Sequence, residues 1–311
     1  MNNNRRNFIK ASALVTTALL LSSLDTFAIT NNLQIKMDNK FELKILATNW
    51  GFKGSLDEYG AKVKKDGYDG VEMWWPATRE AQEEMFTVLK KYNLEAGFLF
   101  GADEDNYKAH FNTFKNTINA AADNKIQKPL YINCHSGADY FSYEENKSFI
   151  DYTTQLSKKA EILIFHETHR SRMLFAAPVA KTFMEKNLDL QITFDVSHWC
   201  NVSESLLQNQ KAALDLAIER TGHIHARIGH PQGPQVNDPR APEWQSAVEA
   251  HFAWWDKIAD LKKRKGERLT ILTEFGPPDY MPTLPYTTQP LANQWAINVH
   301  MMQVLRKRYQ A

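Results

Sequence analysis

The chain has 311 residues, of which 43% are hydrophobic and 23% charged, and its formal net charge is +1. This composition supports a large buried core, and the near-neutral charge gives no support to a nucleic-acid or membrane-surface partner. The two cysteines, Cys134 and Cys200, are too few for a disulfide framework. Each lies at a strand-like run, where a small buried thiol is the expected state.

The first 28 residues differ in character from the rest. A paired arginine, Arg5 and Arg6, precedes an apolar stretch from about residue 13 to 24, which is too short to cross a bilayer. The segment resembles the twin-arginine export signal of bacteria, which implies a cleaved peptide over residues 1–28 and a periplasmic mature protein. An uncleaved anchor and a chance basic start are the alternatives. Residues 1–28 carry three positive charges and one negative charge, so the mature chain has a net charge of −1 and no second apolar stretch of spanning length.

Beyond this segment, eight short apolar runs alternate with longer amphipathic segments. The runs span residues 43–49, 70–75, 95–100, 129–135, 162–167, 190–195, 223–229 and 269–275. The intervening segments carry helix signals, such as Ser55 as a cap and Gly67 as a terminator of the first one. Strict alternation predicts a parallel sheet closed as a (β/α)₈ barrel, a single domain over residues 40–311. An open doubly wound sheet is the competitor, but no G-x-G-x-x-G follows any run.

Polar residues follow the ends of four consecutive runs, where an active site of such a barrel forms. These residues are Glu167, Asp195, His225 and Glu274. Because neighbouring strands lie about 4.8 Å apart, the four side chains can converge on one ion. Three carboxylates and one imidazole favour Mn²⁺, Mg²⁺, Co²⁺ or Zn²⁺ over a metal that prefers thiolates. The alternative is that each is only a salt-bridged or hydrogen-bonded residue at a strand end.

Five motifs resemble those of the xylose isomerase-like barrels and occur in the same order. They are GYDGVE (67–72), HETHR (166–170), FDVSHW (194–199), GHIHARIGH (222–230) and LTEFG (272–276). That group includes sugar isomerases, ketose 3-epimerases, inosose dehydratases and DNA-repair enzymes of the endonuclease IV type. The resemblance implies that Glu167, Asp195, His225 and Glu274 bind a divalent metal, and that Glu167 and Glu274 also form the acid–base pair.

The chemistry implied by this resemblance begins with removal of a proton next to a sugar carbonyl, while the ion stabilises the charge that develops on oxygen. Return of a proton to the other face of the same carbon gives epimerisation. Return to the neighbouring carbon gives isomerisation, and loss of a β-substituent gives elimination. The motifs point to the fold and the metal site, and they leave the substrate and the attacked carbon open.

Further residues at the strand ends are candidates to bind the sugar. They are Trp74, His135, His169, Arg170, His198, Arg227 and His230. Trp74 either stacks on a sugar ring or simply packs, and His135 is either an acid–base group or a hydrogen-bonded wall residue. His166 precedes Glu167 in the strand, so it points to the opposite side and is predicted to be structural. Glu72 is either a ligand of an additional metal or a partner for Arg170.

The sequence departs from the ketose epimerase pattern after His225. It reads ARIGHPQGPQVNDPRAPEW over residues 226–244, with Arg227 and His230 where that branch has other residues. Four prolines stiffen the loop 229–247, and a long rigid loop after a barrel strand is usually functional. The loop either covers the substrate or forms a contact in a homo-oligomer. The departure counts against epimerisation of a free ketose.

The leading hypothesis is a periplasmic, metal-dependent isomerase or epimerase that acts on an unphosphorylated sugar or keto-sugar, since no basic phosphate cradle is present. The main alternative is a lyase or hydratase that acts on 3-keto-glycosides by the same enolisation. A DNA-repair phosphodiesterase would need more histidine ligands and a basic groove, which a net charge near −1 disfavours. A carbohydrate-binding protein that has lost turnover is the remaining alternative.

Overall fold

The structure, a computed structural model, describes residues 40–310, so the predicted export signal over residues 1–28 lies outside the described residues. Eight parallel strands form a closed barrel in sequence order, and the last strand pairs with the first. The strands are β1 (Glu42–Thr48), β2 (Gly70–Trp74), β3 (Glu95–Gly101), β4 (Tyr131–His135), β5 (Ile164–Glu167), β6 (Ile192–Phe194), β7 (Thr221–Ala226) and β8 (Arg268–Thr273). Each overlaps one of the eight predicted runs, so the predicted (β/α)₈ barrel is confirmed.

Helices connect the strands and form the outer layer. They are α1 (Leu56–Asp66), α2 (Arg79–Tyr92), α3 (Tyr107–Ala122), α4 (Tyr143–Ala160), α5 (Ala177–Lys186), α6 (Val196–Val202), α7 (Lys211–Arg220), α8 (Gln245–Lys265) and α9 (Gln294–Tyr309). The Ser55 side chain caps α1, and Gly67 ends it with a left-handed φ of 92°, as predicted. Within residues 40–310, no helix combines the length and apolar character needed to cross a bilayer.

The apolar core has two layers because successive strand residues point to opposite faces. The larger layer lies between the strands and the helices and includes Trp199 and Trp255. The smaller one fills the barrel interior with Leu46, Tyr131, Phe165 and Leu272. Cys134 and Cys200 are both buried and unpaired, as predicted. The interior layer supports the polar residues that follow it toward the carboxyl ends of the strands.

The loop 229–247 is tied to the barrel at several points. The Val236 amide donates to the Ile228 carbonyl oxygen at 2.9 Å. The Gln235 side chain donates to the Gly276 carbonyl oxygen at 3.2 Å and accepts from the Gly276 amide at 2.7 Å. The loop then enters a 3₁₀ turn at Pro242–Trp244 and continues into α8. These bonds hold it beside the carboxyl end of β8.

Candidate metal centre

The four predicted metal ligands meet at the carboxyl ends of β5 to β8. Glu167 ends β5, Asp195 caps α6 directly after β6, His225 lies in β7, and Glu274 follows β8. One ligand atom from each residue lies within 4.8 Å of those of the other three. The four residues are buried, with Glu274 the most exposed at 9%. The geometry therefore brings three carboxylates and one imidazole into a single cluster.

Three ligand atoms of this cluster are buried without a hydrogen-bond partner: Glu167 Oε1, His225 Nδ1 and Glu274 Oε2. His225 Nδ1 is 2.9 Å from Glu274 Oε2 and 3.5 Å from Glu167 Oε2, but these contacts lack hydrogen-bond alignment. Leaving a buried polar atom unsatisfied costs about 1–3 kcal/mol. A divalent cation held by these residues would supply a partner to buried atoms of this kind, so the residues present fit a metal ion.

Arg227 balances part of the charge of this cluster. Its guanidinium is 1% exposed, pairs with Asp195 Oδ2 and lies 3.4 Å from Glu274 Oε2. It also donates to the Ser197 hydroxyl at 3.2 Å, and its Nη2 lies 2.9 Å from His198 Nε2. The positive charge of Arg227 therefore offsets only part of the negative charge that the three carboxylates can carry, and a divalent cation could offset more of it.

Asp195 is held by the turn that begins α6. Its Oδ1 accepts hydrogen bonds from the backbone amide of Ser197, at 3.0 Å, and from the Ser197 hydroxyl. Thr168 exchanges two hydrogen bonds of 2.9 Å with the Asp195 backbone and so ties the ends of β5 and β6 together. Burial and the Glu274 and Glu167 carboxylates raise the pKa of Asp195 to about 6, against the opposing effect of Arg227.

A buried polar network lies next to the cluster. Glu72, on β2, accepts hydrogen bonds from the Tyr131 hydroxyl at 2.7 Å and from His225 Nε2 at 3.0 Å. Asn133 Nδ2 donates to Glu167 Oε2 at 2.8 Å. Burial alone would raise the pKa of Glu72, but the His225 and His223 imidazoles hold it well below its usual range. The partners of Glu72 are therefore imidazoles of β7 rather than Arg170.

Three predicted sugar-binding histidines form one wall beside Glu167. The ring centroids of His135 and His169 are 4.5 Å apart, and those of His169 and His198 are 4.0 Å apart. His135 Nε2 is 3.0 Å from Glu167 Oε2. The Trp74 ring meets His135 edge-on at 5.4 Å and is 52% exposed. The wall thus leads from solvent to a candidate catalytic carboxylate.

The His169 and His198 imidazoles are neutral. Burial lowers the pKa values of both rings well below the usual range, and the nearby Arg227 charge acts in the same direction. His198 Nδ1 is buried without a hydrogen-bond partner. Neutral imidazoles offer a donor and an acceptor each, which suits hydroxyl groups better than a phosphate.

The Arg170 guanidinium contacts residues outside the four-residue cluster. Arg170 donates from Nη1 to Asn201 Oδ1 at 3.3 Å, and its guanidinium stacks 5.0 Å from the centre of the Tyr280 ring. Arg227 lies 4.8 Å from the same ring. His230 instead forms a bridge with Gly233 and packs on Trp244 at 4.7 Å. Among residues 40–310, no hydrogen bond or ion pair joins His230 to the metal cluster.

Sequence reasoning missed several residues of the site. Side chains alternate between the two faces of β4, so Asn133 shares a face with Tyr131 and His135. This two-residue period could have identified Asn133 from the sequence. Tyr280 lies in the irregular segment between β8 and α9, where no periodic signal exists. Ser197 follows Asp195 by two residues, a spacing typical of side-chain capping turns.

No family model matches the sequence, and no curated protein matches it. Solved structures do match. A 3-keto-D-glucoside 4-epimerase from E. coli aligns with a TM-score of 0.57 at 15% identity, over 86% of this chain and 100% of that one. A D-allulose 3-epimerase from Methylomonas sp., solved with D-allulose, aligns with a TM-score of 0.55 at 14% identity, over 86% and 98%.

The barrel shares its fold with sugar epimerases. A probable 3-DHS dehydratase from Bacillus anthracis also aligns, with a TM-score of 0.53 at 15% identity, over 84% of this chain and 98% of that one. The likeness thus extends over nearly the whole of each matched protein and includes enzymes of more than one reaction type. At these identities it establishes the fold, and function has to be argued from the site.

Proposed function

We propose that this protein is a divalent-metal-dependent enzyme of the xylose isomerase-like superfamily that removes a proton next to the carbonyl of an unphosphorylated sugar or keto-sugar. The observation that carries the proposal is the buried cluster of three carboxylates and one imidazole with three unpartnered ligand atoms. The fold likeness to sugar epimerases and to a dehydratase supports it. Export to the periplasm, inferred from residues 1–28, is part of the same proposal.

Glu167, Asp195, His225 and Glu274 would hold the ion. When bound, a divalent ion acts as a Lewis acid that draws charge from a coordinated carbonyl oxygen and so makes the adjacent C–H acidic. The protein supplies the rest: groups that fix the sugar, exclude water and move a proton. Asp195 is best suited to a purely ligating role, since Ser197 and Arg227 engage its two oxygens.

Glu167 has the properties of the base. Burial would raise the pKa of Glu167, but the His225 and His135 imidazoles hold it well below the usual range, so the carboxylate is ionised. Asn133 and His135 anchor Oε2, and Oε1 has no partner. An anchored carboxylate with one unpartnered oxygen can take a proton without moving.

Glu274 would serve as the second acid–base group. It directly follows β8, three strands from Glu167 at the end of β5, and its Oε2 is also unpartnered. If Glu167 takes the proton from one face of the carbon and Glu274 returns one to the other face, the carbon is inverted and no other bond changes. The two glutamates exchange roles in the reverse reaction.

The wall of Trp74, His135, His169 and His198 would bind the sugar. Trp74 offers an exposed ring face for stacking, and the neutral imidazoles offer hydrogen bonds to hydroxyl groups. This chemistry favours an uncharged ring over a phosphorylated one.

Elimination from a 3-keto-glycoside is the second candidate. Its support is His135, whose Nε2 lies 3.0 Å from Glu167 and supplies a second proton donor on the same side of the site. After Glu167 removes the proton, breaking the bond to a β-oxygen would expel an alcohol that needs a proton, which His135 is placed to give. The half-exposed Trp74 leaves room at the mouth for the expelled group.

The experiment compares metal content and deuterium uptake for the wild type and Glu274→Gln. In D₂O, with Mn²⁺ and a panel of free sugars and 3-keto-glucosides, we expect deuterium to enter the carbon beside the carbonyl. Glu274→Gln should slow this exchange by a factor on the order of 10²–10⁴, the usual contribution of a general acid or base. Glu243→Gln, an exposed acid in the 3₁₀ turn, is the control that should exchange like the wild type.

The labelled product separates the reaction types, because an epimerase returns an inverted sugar and a lyase releases an alcohol. A wild type that binds no divalent metal would contradict the proposal. A protein that binds metal and sugars but exchanges no proton would favour the binding-protein alternative.

A further inference from the structure

Glu72 is a buried carboxylate that the proposed reaction does not use. It is 2% exposed and lies on β2, on the opposite side of His225 from the carboxylates of the metal cluster. An ionised group in such a place costs several kcal/mol unless its partners compensate. Its partners are His225 at 3.0 Å, the Tyr131 hydroxyl at 2.7 Å and His223 at 3.2 Å.

The contact between Glu72 and His225 decides which imidazole nitrogen faces the cluster. His225 Nε2 lies 3.0 Å from Glu72 Oε1, and because a carboxylate oxygen accepts, Nε2 carries a proton and donates it. The other nitrogen, Nδ1, then faces the metal cluster, 2.9 Å from Glu274 Oε2 and 3.5 Å from Glu167 Oε2. An imidazole held in this way presents Nδ1 to an ion without further rearrangement.

Asn133 links the same contact to the proposed base. Its Nδ2 is 3.4 Å from Glu72 Oε1, 2.8 Å from Glu167 Oε2 and 3.1 Å from His225 Nε2. A single amide group therefore lies between the two carboxylates and against the imidazole. Displacement of Glu72 would remove support from His225 directly and from Glu167 through Asn133.

We propose that Glu72 is a positioning residue for the metal centre, which fixes the orientation of His225 so that Nδ1 faces the ion. The inference rests on the proposed function. Glu72 lies outside the four-residue cluster, and its oxygens are contacted by His225 and by Tyr131 on the far side of the imidazole. Its negative charge also increases the basicity of the coordinating nitrogen, as carboxylate partners of metal-bound histidines do.

The test uses Glu72→Gln, which keeps the shape and removes the charge, and Glu72→Leu, which also removes the acceptor. Mn²⁺ affinity is measured by calorimetric titration. The loss of such a partner typically weakens metal binding by about 10–100-fold, and we expect the smaller loss for Gln and the larger for Leu. Tyr131→Phe is the matched control: it removes the hydrogen bond to Glu72 Oε2, away from His225, and should leave the dissociation constant for Mn²⁺ unchanged.

A second readout follows the imidazole directly. In protein labelled with ¹⁵N-histidine, the Nε2 proton of His225 should give a slowly exchanging, downfield resonance that Glu72→Leu abolishes and Tyr131→Phe retains. This readout needs no metal, so it tests Glu72 even if the wild type fails to bind Mn²⁺, a result that would count against the proposed function instead.

Two results would overturn the inference. One is unchanged Mn²⁺ affinity, or an unchanged His225 resonance, in both Glu72 variants. The other is a loss of Mn²⁺ affinity in Tyr131→Phe as large as that in the Glu72 variants. This would mean that any disturbance of the buried network has the same effect.

Discussion

Arg227 carries a full positive charge where almost no water reaches it. Its guanidinium contacts Asp195, Ser197, His198 and the Glu274 side chain. The sequence suggested a sugar-binding role for this residue, and that role stays a prediction, since its hydrogen-bonding groups have partners within the protein. In the structure its clearest effect is electrostatic, because its positive charge offsets the repulsion among the three neighbouring carboxylates.

We expect Arg227→Met to leave these carboxylates without their internal cation. Removal of one partner of a buried ion pair costs about 3–5 kcal/mol, so the metal-free variant should be strongly destabilised. Added Mn²⁺ should recover much of this loss, because the carboxylates attract a dication more strongly once the arginine charge is gone. Urea unfolding with and without Mn²⁺ measures both effects, and Arg227→Lys, which keeps the charge, should show the smaller response to Mn²⁺. An equal response in the two variants would argue against charge balance.

At the scale of elements, His251 joins the loop 229–247 to helix α8. Its Nε2 accepts a hydrogen bond from the Gly229 amide at 3.1 Å, and its Nδ1 lies 2.8 Å from the Ala247 carbonyl oxygen, to which it donates. A neutral ring with the proton on Nδ1 makes both bonds. Burial lowers the pKa of His251 to about 4, so the ring stays neutral in the folded protein. This attachment of the loop therefore requires the neutral form of His251, because protonation of Nε2 would remove its bond with the Gly229 amide.

This attachment predicts a loss of stability in acid. The folded pKa of His251 lies below the unfolded value of about 6.5, so its contribution is complete above pH 6.5 and is lost as the pH falls toward 4. The loss is at most about 1.4 kcal/mol per pH unit. His166, whose pKa burial lowers to about 3, acts in the same direction. Urea unfolding between pH 7 and 4 should show a shallower pH dependence for His251→Gln than for the wild type; parallel curves would refute the assignment.

The elements themselves were largely readable from the sequence, because a buried parallel strand needs a short apolar run and an enclosing helix needs a polar face. The predicted strand ends were less accurate than the strands themselves. β6 ends at Phe194 because Asp195 begins a helix, and β7 ends at Ala226, three residues before the predicted end at residue 229. The convergence of Glu167 and Glu274 followed from strand order alone. The partners of Arg227 and His230 did not, since packing of irregular segments determines them.

At the scale of the whole molecule, the two cysteines report on global unfolding. Cys134 on β4 and Cys200 on α6 have no exposed surface, and burial raises the pKa of the Cys200 thiol to about 12. A thiol reagent needs an exposed thiolate. We expect no labelling of the native protein at pH 8, and simultaneous labelling of both thiols at the rate of global unfolding, slowed by Mn²⁺. Labelling of one thiol well before the other would reveal independent opening of part of the barrel.

The position of the four ligands along the chain has a consequence for biosynthesis. All four come from β5 to β8, and the last, Glu274, follows the strand that closes the barrel against β1. During translation, the first four strands emerge from the ribosome without any member of the cluster. The proposed ion site can form only after Glu274 has left the exit tunnel, so a polypeptide released before that point lacks both a closed barrel and the complete four-residue cluster. Retention of metal would then mark chains whose translation had passed the final strand.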